Sequence, residues 1–379
     1  MRSFYKIGVP VLALSTMPMT AAAEQLTWAS GWPPGSPIAE SLERATEMVA
    51  SETNMTAKHF PLSLLNFNEM VGGVRDGIVD IGYVFTPYFP AELSDTNLAA
   101  DLSMLATTGT ETDVPGLVMS GALLEYVMLD CVDCREEFTA QNMVYLAGGA
   151  SSEFATVCDR PVESAEDMQG LKIRVGQPNF GRLVEELGAV KVAISGNEIY
   201  EALASNSIDC TMIALPELIS LRILEVIEAV TLGAPGGVFA GVSSATMGRD
   251  VWSSLTIEQR EAFFKIGAQL TADVAVGYVQ NEARATEEAK SAGVEFMEAA
   301  PELVAATEDF VERDIETISE QYAESYGVSD VEAKIERMTA LIEKWKGLTE
   351  GYGDDVDAFA QLLQDEVYSN VDPETYGLN

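Results

Sequence analysis

The feature that most constrains this chain is an alternation of short apolar strands and amphipathic helices that occurs twice. Such alternation is typical of parallel sheets covered by helices on their faces. The two stretches also share a local pattern, because Glu69 and Glu198 each precede an aspartate, Asp80 or Asp209, by the same number of positions. We therefore predict two similar α/β lobes. The predicted strands are 26–30, 55–60, 78–85, 143–149, 154–158, 171–175, 190–194 and 207–213, and the helices are 38–52, 68–77, 180–188 and 197–206.

Beyond about Ser254 the pattern becomes helical. Thr256 to Gln259 form a capping box that opens a long helix reaching about Ala289. Further helices are predicted from about residue 329 and over 354–367. The predicted domains are 24–148 with part of 235–255 (lobe I), 149–234 with part of 256–300 (lobe II), and 301–379 (C-terminal helices packed on the lobes).

The N-terminus and the charge predict an exported protein. Arg2 and Lys6, a short apolar run and Ala21 to Ala23 are typical of a signal peptide, residues 1–23, that is removed on export to the periplasm. The chain has 22 Lys and Arg against 60 Asp and Glu, a net charge of -38. This charge disfavours nucleic acid and anionic membranes as partners, and it suits solubility in a salty medium.

Four cysteines in an exported chain predict two disulfides. Three pairings are possible, and we favour Cys131 with Cys134 and Cys158 with Cys210. A thiol-disulfide oxidoreductase using Cys131 and Cys134 is an alternative function, although the acidic residues around the pair disfavour a thiolate.

Enzyme signatures are sparse in this sequence. It has a single histidine, His59, and no nucleophile elbow, zinc-protease motif or P-loop. We expect no catalytic activity, no cofactor and no metal site.

Arg174 ends a predicted strand that leads directly into a loop and a helix. Ligands of parallel α/β sheets bind outside the carboxyl ends of the strands, and a guanidinium can bind a carboxylate through two parallel hydrogen bonds. Pairing of Arg174 with one of the many acids of the chain is the alternative. Aromatic residues lie in comparable loops and predict an apolar cleft around this cation: Trp32, Phe85, Tyr88 and Phe180.

These residues carry a resemblance to a known family. "RPVESAEDMQGLKIRV", "GNEIYEALASNSIDC", "WPPGSP" and "NEMVGGVRDGIVDIGYV" resemble the DctP-type substrate-binding proteins of TRAP (tripartite ATP-independent periplasmic) transporters, in order over about residues 26 to 290. The resemblance implies a two-lobed periplasmic-binding-protein-like fold with a hinge, a long lobe-spanning helix and, here, a helical C-terminal extension. It also implies Arg174 as the ligand's carboxylate anchor and the membrane subunits of a TRAP transporter as partners. We expect the protein to be a monomer.

Two departures from the family pattern bear on the ligand. Glu153 lies where relatives often carry a second arginine, and Asp209 is followed by Cys210 to Ile213 rather than by polar amides. A second carboxylate would therefore lack a partner, which is costly in a buried site. We predict a monocarboxylate with an apolar or aromatic body, packed by Trp32, Phe85, Tyr88, Phe180 and Ile213, with Glu153 accepting a ligand hydroxyl or facing solvent. A C4-dicarboxylate or amino-acid binding protein is a further alternative.

Overall fold

Two β-sheets organise the chain, and the computed structural model describes residues 25 to 378 of it. The predicted signal peptide, residues 1–23, lies outside the described residues. The first sheet has the strand order β2-β1-β3-β10-β4, and the second has the order β11-β9-β5-β8-β6-β7. The strands are β1 Gln25–Ser30, β2 Thr56–Pro61, β3 Ile81–Phe85, β4 Met143–Ala147, β5 Glu153–Cys158, β6 Lys172–Arg174, β7 Val190–Val192, β8 Cys210–Ala214, β9 Ala229–Val238, β10 Val242–Gly248 and β11 Glu295–Glu298.

Helices cover both sheets and form the C-terminal part of the chain. No helix among residues 25–378 is both long and apolar enough to span a membrane. The helices are α1 Pro37–Glu52, α2 Met70–Arg75, α3 Ser94–Asp101, α4 Pro115–Glu125, α5 Val132–Ala140, α6 Pro178–Glu186, α7 Ile199–Ala204, α8 Glu217–Ser220, α9 Arg249–Ser254, α10 Ile257–Ser291, α11 Pro301–Gln321, α12 Val331–Leu348 and α13 Val356–Glu366.

The sheets are mixed, where the sequence pattern predicted parallel ones. β1 runs parallel to β2 and β3, and β6 runs parallel to β7 and β8. β10 runs antiparallel to β3 and β4, and β5 runs antiparallel to β8 and β9. The exceptions have a topological cause, because the chain crosses between the lobes from β4 to β5 and returns from β9 to β10.

The two crossing segments hydrogen-bond to each other between the sheets. The Ser151 backbone N–H donates to the Phe239 carbonyl at 3.0 Å, and the Phe239 N–H donates to Ser151 Oγ at 2.9 Å. A pair of short crossing segments is the arrangement expected of a hinge between two lobes.

The repeated Glu and Asp pattern has a structural basis in each lobe. Glu69 and Glu198 are the closing residues of capping boxes that begin with Asn66 and Ser195. Each aspartate lies immediately before the next strand and accepts a hydrogen bond from the backbone of a neighbouring strand. Asp80 Oδ2 accepts the Thr27 N–H at 2.7 Å, and Asp209 Oδ2 accepts the Lys172 N–H at 2.8 Å. Each lobe thus uses one glutamate to start a helix and one aspartate to hold the backbone of a neighbouring parallel strand, at Thr27 of β1 or Lys172 of β6.

Helix α10 contacts the apolar cores of both lobes. Its capping box has Thr256 as the N-cap residue and Gln259 as the closing residue, as the sequence predicted. Phe263 and Phe264 lie in the larger core, whereas Ala285 and Ala289 lie in the core of the second lobe. One continuous helix therefore crosses both lobes.

The C-terminal segment packs mainly on the first lobe. In α12, Trp345 is fully buried and its indole Nε1 donates to Glu125 Oε2 of α4 at 2.8 Å. Beyond α13, the hydroxyls of Tyr368 and Tyr376 donate to the carbonyls of β4 residues Leu146 and Tyr145. These buried contacts make the extension a structural part of the lobe.

Candidate functional site

Arg174 lies at the carboxyl end of β6, in the cleft between the lobes, and its side chain is almost fully buried. Its Nε donates to the Ile194 carbonyl at 3.1 Å, and its Nη2 donates to the Tyr88 hydroxyl at 2.9 Å. Among residues 25–378 no carboxylate forms an ion pair with Arg174. The alternative that Arg174 serves a surface ion pair therefore does not hold for this part of the chain.

Tyr88 joins the two lobes at this point. It follows β3 of the first lobe, and its hydroxyl also accepts the backbone N–H of Gly196, from the second lobe, at 3.0 Å. A second link lies nearby, where Asn197 Nδ2 donates to the Gly31 carbonyl at 2.9 Å. The loops after β1, β3 and β7 thus meet around the guanidinium.

A small, mostly aromatic cavity surrounds Arg174. The loops of the first lobe, the crossing segments and helices α8 and α10 all contribute to its walls. The buried indole Nε1 of Trp32 makes no hydrogen bond of normal geometry among the described residues, and its neighbour in the same cluster of rings is Tyr83. The lining residues are Trp32, Phe67, Phe85, Tyr88, Ser151, Phe154, Arg174, Gly196, Ile199, Glu217, Leu221, Phe239, Val242 and Tyr278.

The aromatic walls form one connected cluster of rings. Phe67 and Phe85 have centroids 4.6 Å apart, and Phe85 and Phe239 have centroids 4.8 Å apart. Trp32 meets Phe67 edge to face at 5.4 Å. Because Phe239 lies in a crossing segment, the cluster links the first lobe to the hinge.

Four of the predicted ligand contacts line this cavity, namely Arg174, Trp32, Phe85 and Tyr88. Phe180 does not: it is fully buried behind the wall, stacked on Phe154 at 4.9 Å. Ile213 does not either, because it is fully buried in the separate apolar core of the second lobe.

Glu153 also lies outside the cavity lining. Side chains alternate along a strand, and its neighbour in β5, Phe154, takes the cavity-facing position. Glu153 is exposed, and partial desolvation together with the nearby Glu282 carboxylate raises its pKa. Of the two roles predicted for Glu153, the solvent-facing one fits this placement.

Several lining residues were not identified from the sequence. Phe67, Phe154, Phe239 and Tyr278 come from segments that carry no site motif. Glu217 is the first residue of α8 and follows the carboxyl end of β8. Arg174 was selected because ligands bind at the carboxyl ends of strands, and the same reasoning applies to Glu217. Because the chain has 60 acidic residues, the sequence alone does not distinguish Glu217 from the others.

The cavity is small compared with a usual ligand site. Its volume is about 30 Å³, whereas pockets that hold small molecules occupy roughly 300–1,000 Å³. A larger groove of about 640 Å³ lies beside it and shares Tyr88, but its cations are Lys191 and Arg182. Entry of a ligand to Arg174 therefore requires the lobes to separate or the aromatic side chains to move.

The other residues considered for chemistry do not line this cavity. His59 lies in β2 and contacts Ser30 Oγ through Nε2 at 2.9 Å, and burial lowers its pKa to about 4. Disulfides join Cys131 to Cys134 at the start of α5 and Cys158 to Cys210 across β5 and β8. Within residues 25–378, no group of three or more His, Cys, Asp or Glu side chains is placed to hold a metal ion.

Comparison with known proteins gives consistent matches. The profile of the DctP family, described as bacterial extracellular solute-binding protein family 7, matches residues 28–322. A solute-binding protein of Albidiferax ferrireducens is 26% identical over 277 residues, which cover 68% of this chain and 77% of the relative.

Two solved structures illustrate the shared fold. A marine metagenome TRAP solute-binding protein specific for aromatic acid ligands, solved with metahydroxyphenylacetate, is 21% identical with a TM-score of 0.73, covering 85% of this chain and 99% of that one. A TRAP periplasmic solute-binding protein of Bordetella bronchiseptica, solved with (R)- and (S)-mandelate, is 22% identical with a TM-score of 0.72, covering 84% and 99%. With two lobes, a hinge and a family profile that spans most of its length, the chain belongs to the DctP family of bacterial extracellular solute-binding proteins.

Proposed function

We propose that this protein is the extracytoplasmic solute-binding protein of a TRAP transporter and that it captures a monocarboxylate with an aromatic body. The observation that carries the proposal is the buried guanidinium of Arg174, which has no carboxylate partner and lies at a cavity lined by seven aromatic side chains. The two structural relatives described above hold aromatic monocarboxylates, which agrees with this choice of ligand class.

The carboxylate would bind Arg174 in place of the Tyr88 hydroxyl. Nε is held by the Ile194 carbonyl and fixes the plane of the guanidinium, whereas the bond from Nη2 to Tyr88 bridges the lobes. When the lobes separate, that bond breaks and a carboxylate can form a stronger, charge-assisted one. Closure then follows from the extra contacts that the bound acid makes with both lobes.

The lining also argues against a dicarboxylate. Arg174 is the one basic residue among the cavity-lining residues, so a second carboxylate would be buried without a cation, at a cost of several kcal/mol.

The proposed partners are the membrane subunits of the transporter, and the proposed location is the periplasm. Both follow from the family and from the predicted signal peptide.

A thermal-shift screen tests the ligand class. We expect benzoate, 3-hydroxybenzoate and mandelate to stabilise the protein, by about 2.7 kcal/mol at a hundred times Kd, and succinate and malate to have no effect. The reverse order would refute the aromatic monocarboxylate.

Paired variants test the anchor. Arg174→Met should abolish the shift and Arg174→Lys should weaken it, because an ammonium lacks the planar fork. Lys191→Met is the matched control, since Lys191 lines the neighbouring groove and its ion partner Glu185 is exposed. A response lost in Lys191→Met but kept in Arg174→Met would place the ligand in the groove instead.

A further inference from the structure

The cavity contains a buried acid as well as the buried cation. Glu217 is 9% exposed and lines the same cavity as Arg174. Its Oε1 accepts a hydrogen bond from the Tyr278 hydroxyl of α10 at 3.0 Å. Glu217 and Arg174 do not touch, so the carboxylate is influenced by the guanidinium through the cavity rather than by a direct ion pair.

Among the described residues, 25–378, the groups that face Glu217 from the surrounding elements include a single cation. Arg174 faces it from β6, Tyr278 from α10, Tyr83 from β3, and the Ala214 backbone from β8. Burial raises the pKa of Glu217 to about 7, and Arg174 together with the two hydrogen bonds limits the rise. The charge of Glu217 is therefore balanced, in part, by the residue proposed to hold the ligand.

Binding of an acid changes this balance. A carboxylate on Arg174 takes up the positive charge, and an ionised Glu217 would then be a second buried anion without a cation. A buried, unpaired carboxylate is far less stable than its protonated form, so the group takes up a proton instead. A protonated Glu217 still accepts the Tyr278 hydroxyl hydrogen bond and leaves one positive and one negative charge in the cavity.

We propose that Glu217 is protonated whenever an anionic ligand is bound at Arg174, so that binding of a carboxylate to a molecule whose Glu217 is ionised takes up one proton. The inference rests on the proposed function in that it places the ligand carboxylate on Arg174. The inference goes beyond the proposed function in two ways. It gives Glu217, which lies in no recognised motif, a part in ligand binding, and it makes the affinity for the ligand depend on pH, which the aromatic walls alone would not do.

The direction of the pH effect follows from linkage. The protonated form binds the anion, so the affinity should be constant below about pH 7 and fall tenfold for each pH unit above it. The proton uptake per bound ligand should rise with pH, because more of the ligand-free protein then carries an ionised Glu217. For a group that titrates near pH 7, uptake should be about 0.1 proton per ligand at pH 6 and about 0.9 at pH 8.

Isothermal titration calorimetry measures both quantities. Benzoate, mandelate and pyroglutamate would each be titrated into the protein at pH 6 and pH 8, in pairs of buffers with different ionisation enthalpies. We expect Kd to rise about tenfold between pH 6 and pH 8, with proton uptake at pH 8. A Kd that is equal at both pH values with no proton uptake overturns the inference even if no variant can be prepared.

Two variants assign the proton. Glu217→Gln keeps the shape and cannot ionise, so its Kd should match the wild-type value at pH 6 within about threefold and stay constant to pH 8, with no uptake. Glu282→Gln is the matched control: Glu282 is a desolvated acid on the same helix as Tyr278, outside the cavity lining, and its loss should leave the pH dependence in place. Uptake that persists in Glu217→Gln would assign the proton elsewhere and refute the inference.

The outcomes separate this inference from the proposed function. If pyroglutamate binds with proton uptake and the aromatic acids do not bind, the aromatic ligand class is wrong and the role of Glu217 stands. If an aromatic acid binds without uptake, the ligand class stands and the role of Glu217 is wrong. If none of the three acids binds at pH 6, where a neutral Glu217 favours binding, both are contradicted.

Discussion

Arg182 of α6 links three parts of the molecule, and its removal tests how the closed arrangement is held. Its Nε and Nη2 donate to the two carboxylate oxygens of Asp314 in α11, at 2.6 and 2.7 Å. Nη2 also donates to Asp101 of α3 in the first lobe, at 2.9 Å. One guanidinium from the second lobe therefore serves two buried carboxylates.

The structure sets the expected magnitude. The side chains of Asp101 and Asp314 are 1% and 6% exposed, and that of Arg182 is 14% exposed. Arg182→Leu would leave both acids buried without a cation, and breaking such a buried pair costs about 3–5 kcal/mol. We expect that decrease in the free energy of unfolding at pH 8.

The loss should shrink at low pH. Burial already raises the pKa of Asp101 to about 6, despite the opposing effect of Arg182. Without the guanidinium that pKa rises further, so at pH 5 Asp101 is protonated in the folded variant and one of the two unpaired charges disappears. The destabilisation of Arg182→Leu should therefore be clearly smaller at pH 5 than at pH 8.

Urea unfolding followed by circular dichroism at both pH values provides the measurement. Arg313→Leu is the matched control, because Arg313 pairs with Glu186 on the surface with side chains 62% and 48% exposed, and exposed pairs contribute only about 0–1 kcal/mol. A loss in Arg182→Leu no larger than in Arg313→Leu, or an equal loss at pH 5 and pH 8, would refute the reasoning.

Three further predictions follow from single contacts. A Cβ added to Gly31 would lie 2.5 Å from the Phe67 ring, so Gly31→Ala should displace that ring and weaken aromatic acid binding roughly tenfold in calorimetry. Loss of the Cys158–Cys210 disulfide, which spans 52 residues, should lower the free energy of unfolding by about 4 kcal/mol in urea. The pKa of Glu217 lies at about 7 in the folded protein against 4.5 ordinarily, so the folded state binds the extra proton. Its contribution to stability should therefore fall by about 3 kcal/mol as the pH rises through that interval, and Glu217→Gln should remove this part of the pH dependence.

Each of these three predictions has a control or a contradicting outcome within the same protein. A methyl group at Gly347 meets nothing within 4 Å, so Gly347→Ala should bind acids like the wild type, and an equal affinity in Gly31→Ala would contradict the first prediction. The Cys131–Cys134 disulfide spans 3 residues and should contribute only about 2 kcal/mol; a larger loss there than at Cys158–Cys210 would contradict the second. If the free energy of unfolding depended on pH identically in the wild type and in Glu217→Gln, the prediction for Glu217 would be contradicted.

Local rules in the sequence predicted the elements and part of the site. The glutamate and aspartate repeat was visible because capping boxes and strand-start contacts use fixed residue types at fixed spacings. The position of Arg174 at the carboxyl end of a strand selected it, the loop after β1 supplied Trp32, and the end of β3 supplied Phe85. These features depend on neighbours in sequence or on a general property of parallel strands.

The rest of the site depends on the crossing segments between the lobes. Phe239 reaches the cavity from the crossing segment between β9 and β10, and Tyr278 reaches it from α10. No local pattern predicts where such distant segments meet. Glu153 was placed in the site by alignment to a family position, but the alternation of β5 gives that face to Phe154. The antiparallel orientation of β5 and β10 has the same origin, because it follows from where the chain crosses rather than from strand composition.

The central claim is that Arg174 holds the carboxylate of an aromatic acid inside the cleft, and a crystal structure of the protein with mandelate or 3-hydroxybenzoate tests it most directly. We predict both carboxylate oxygens about 2.7–2.9 Å from the guanidinium nitrogens of Arg174, with the ring against Phe85 and Phe239 and the Tyr88 hydroxyl displaced from Nη2. A carboxylate bound at Lys191 in the neighbouring groove, with the bond between Arg174 and Tyr88 intact, would contradict the claim.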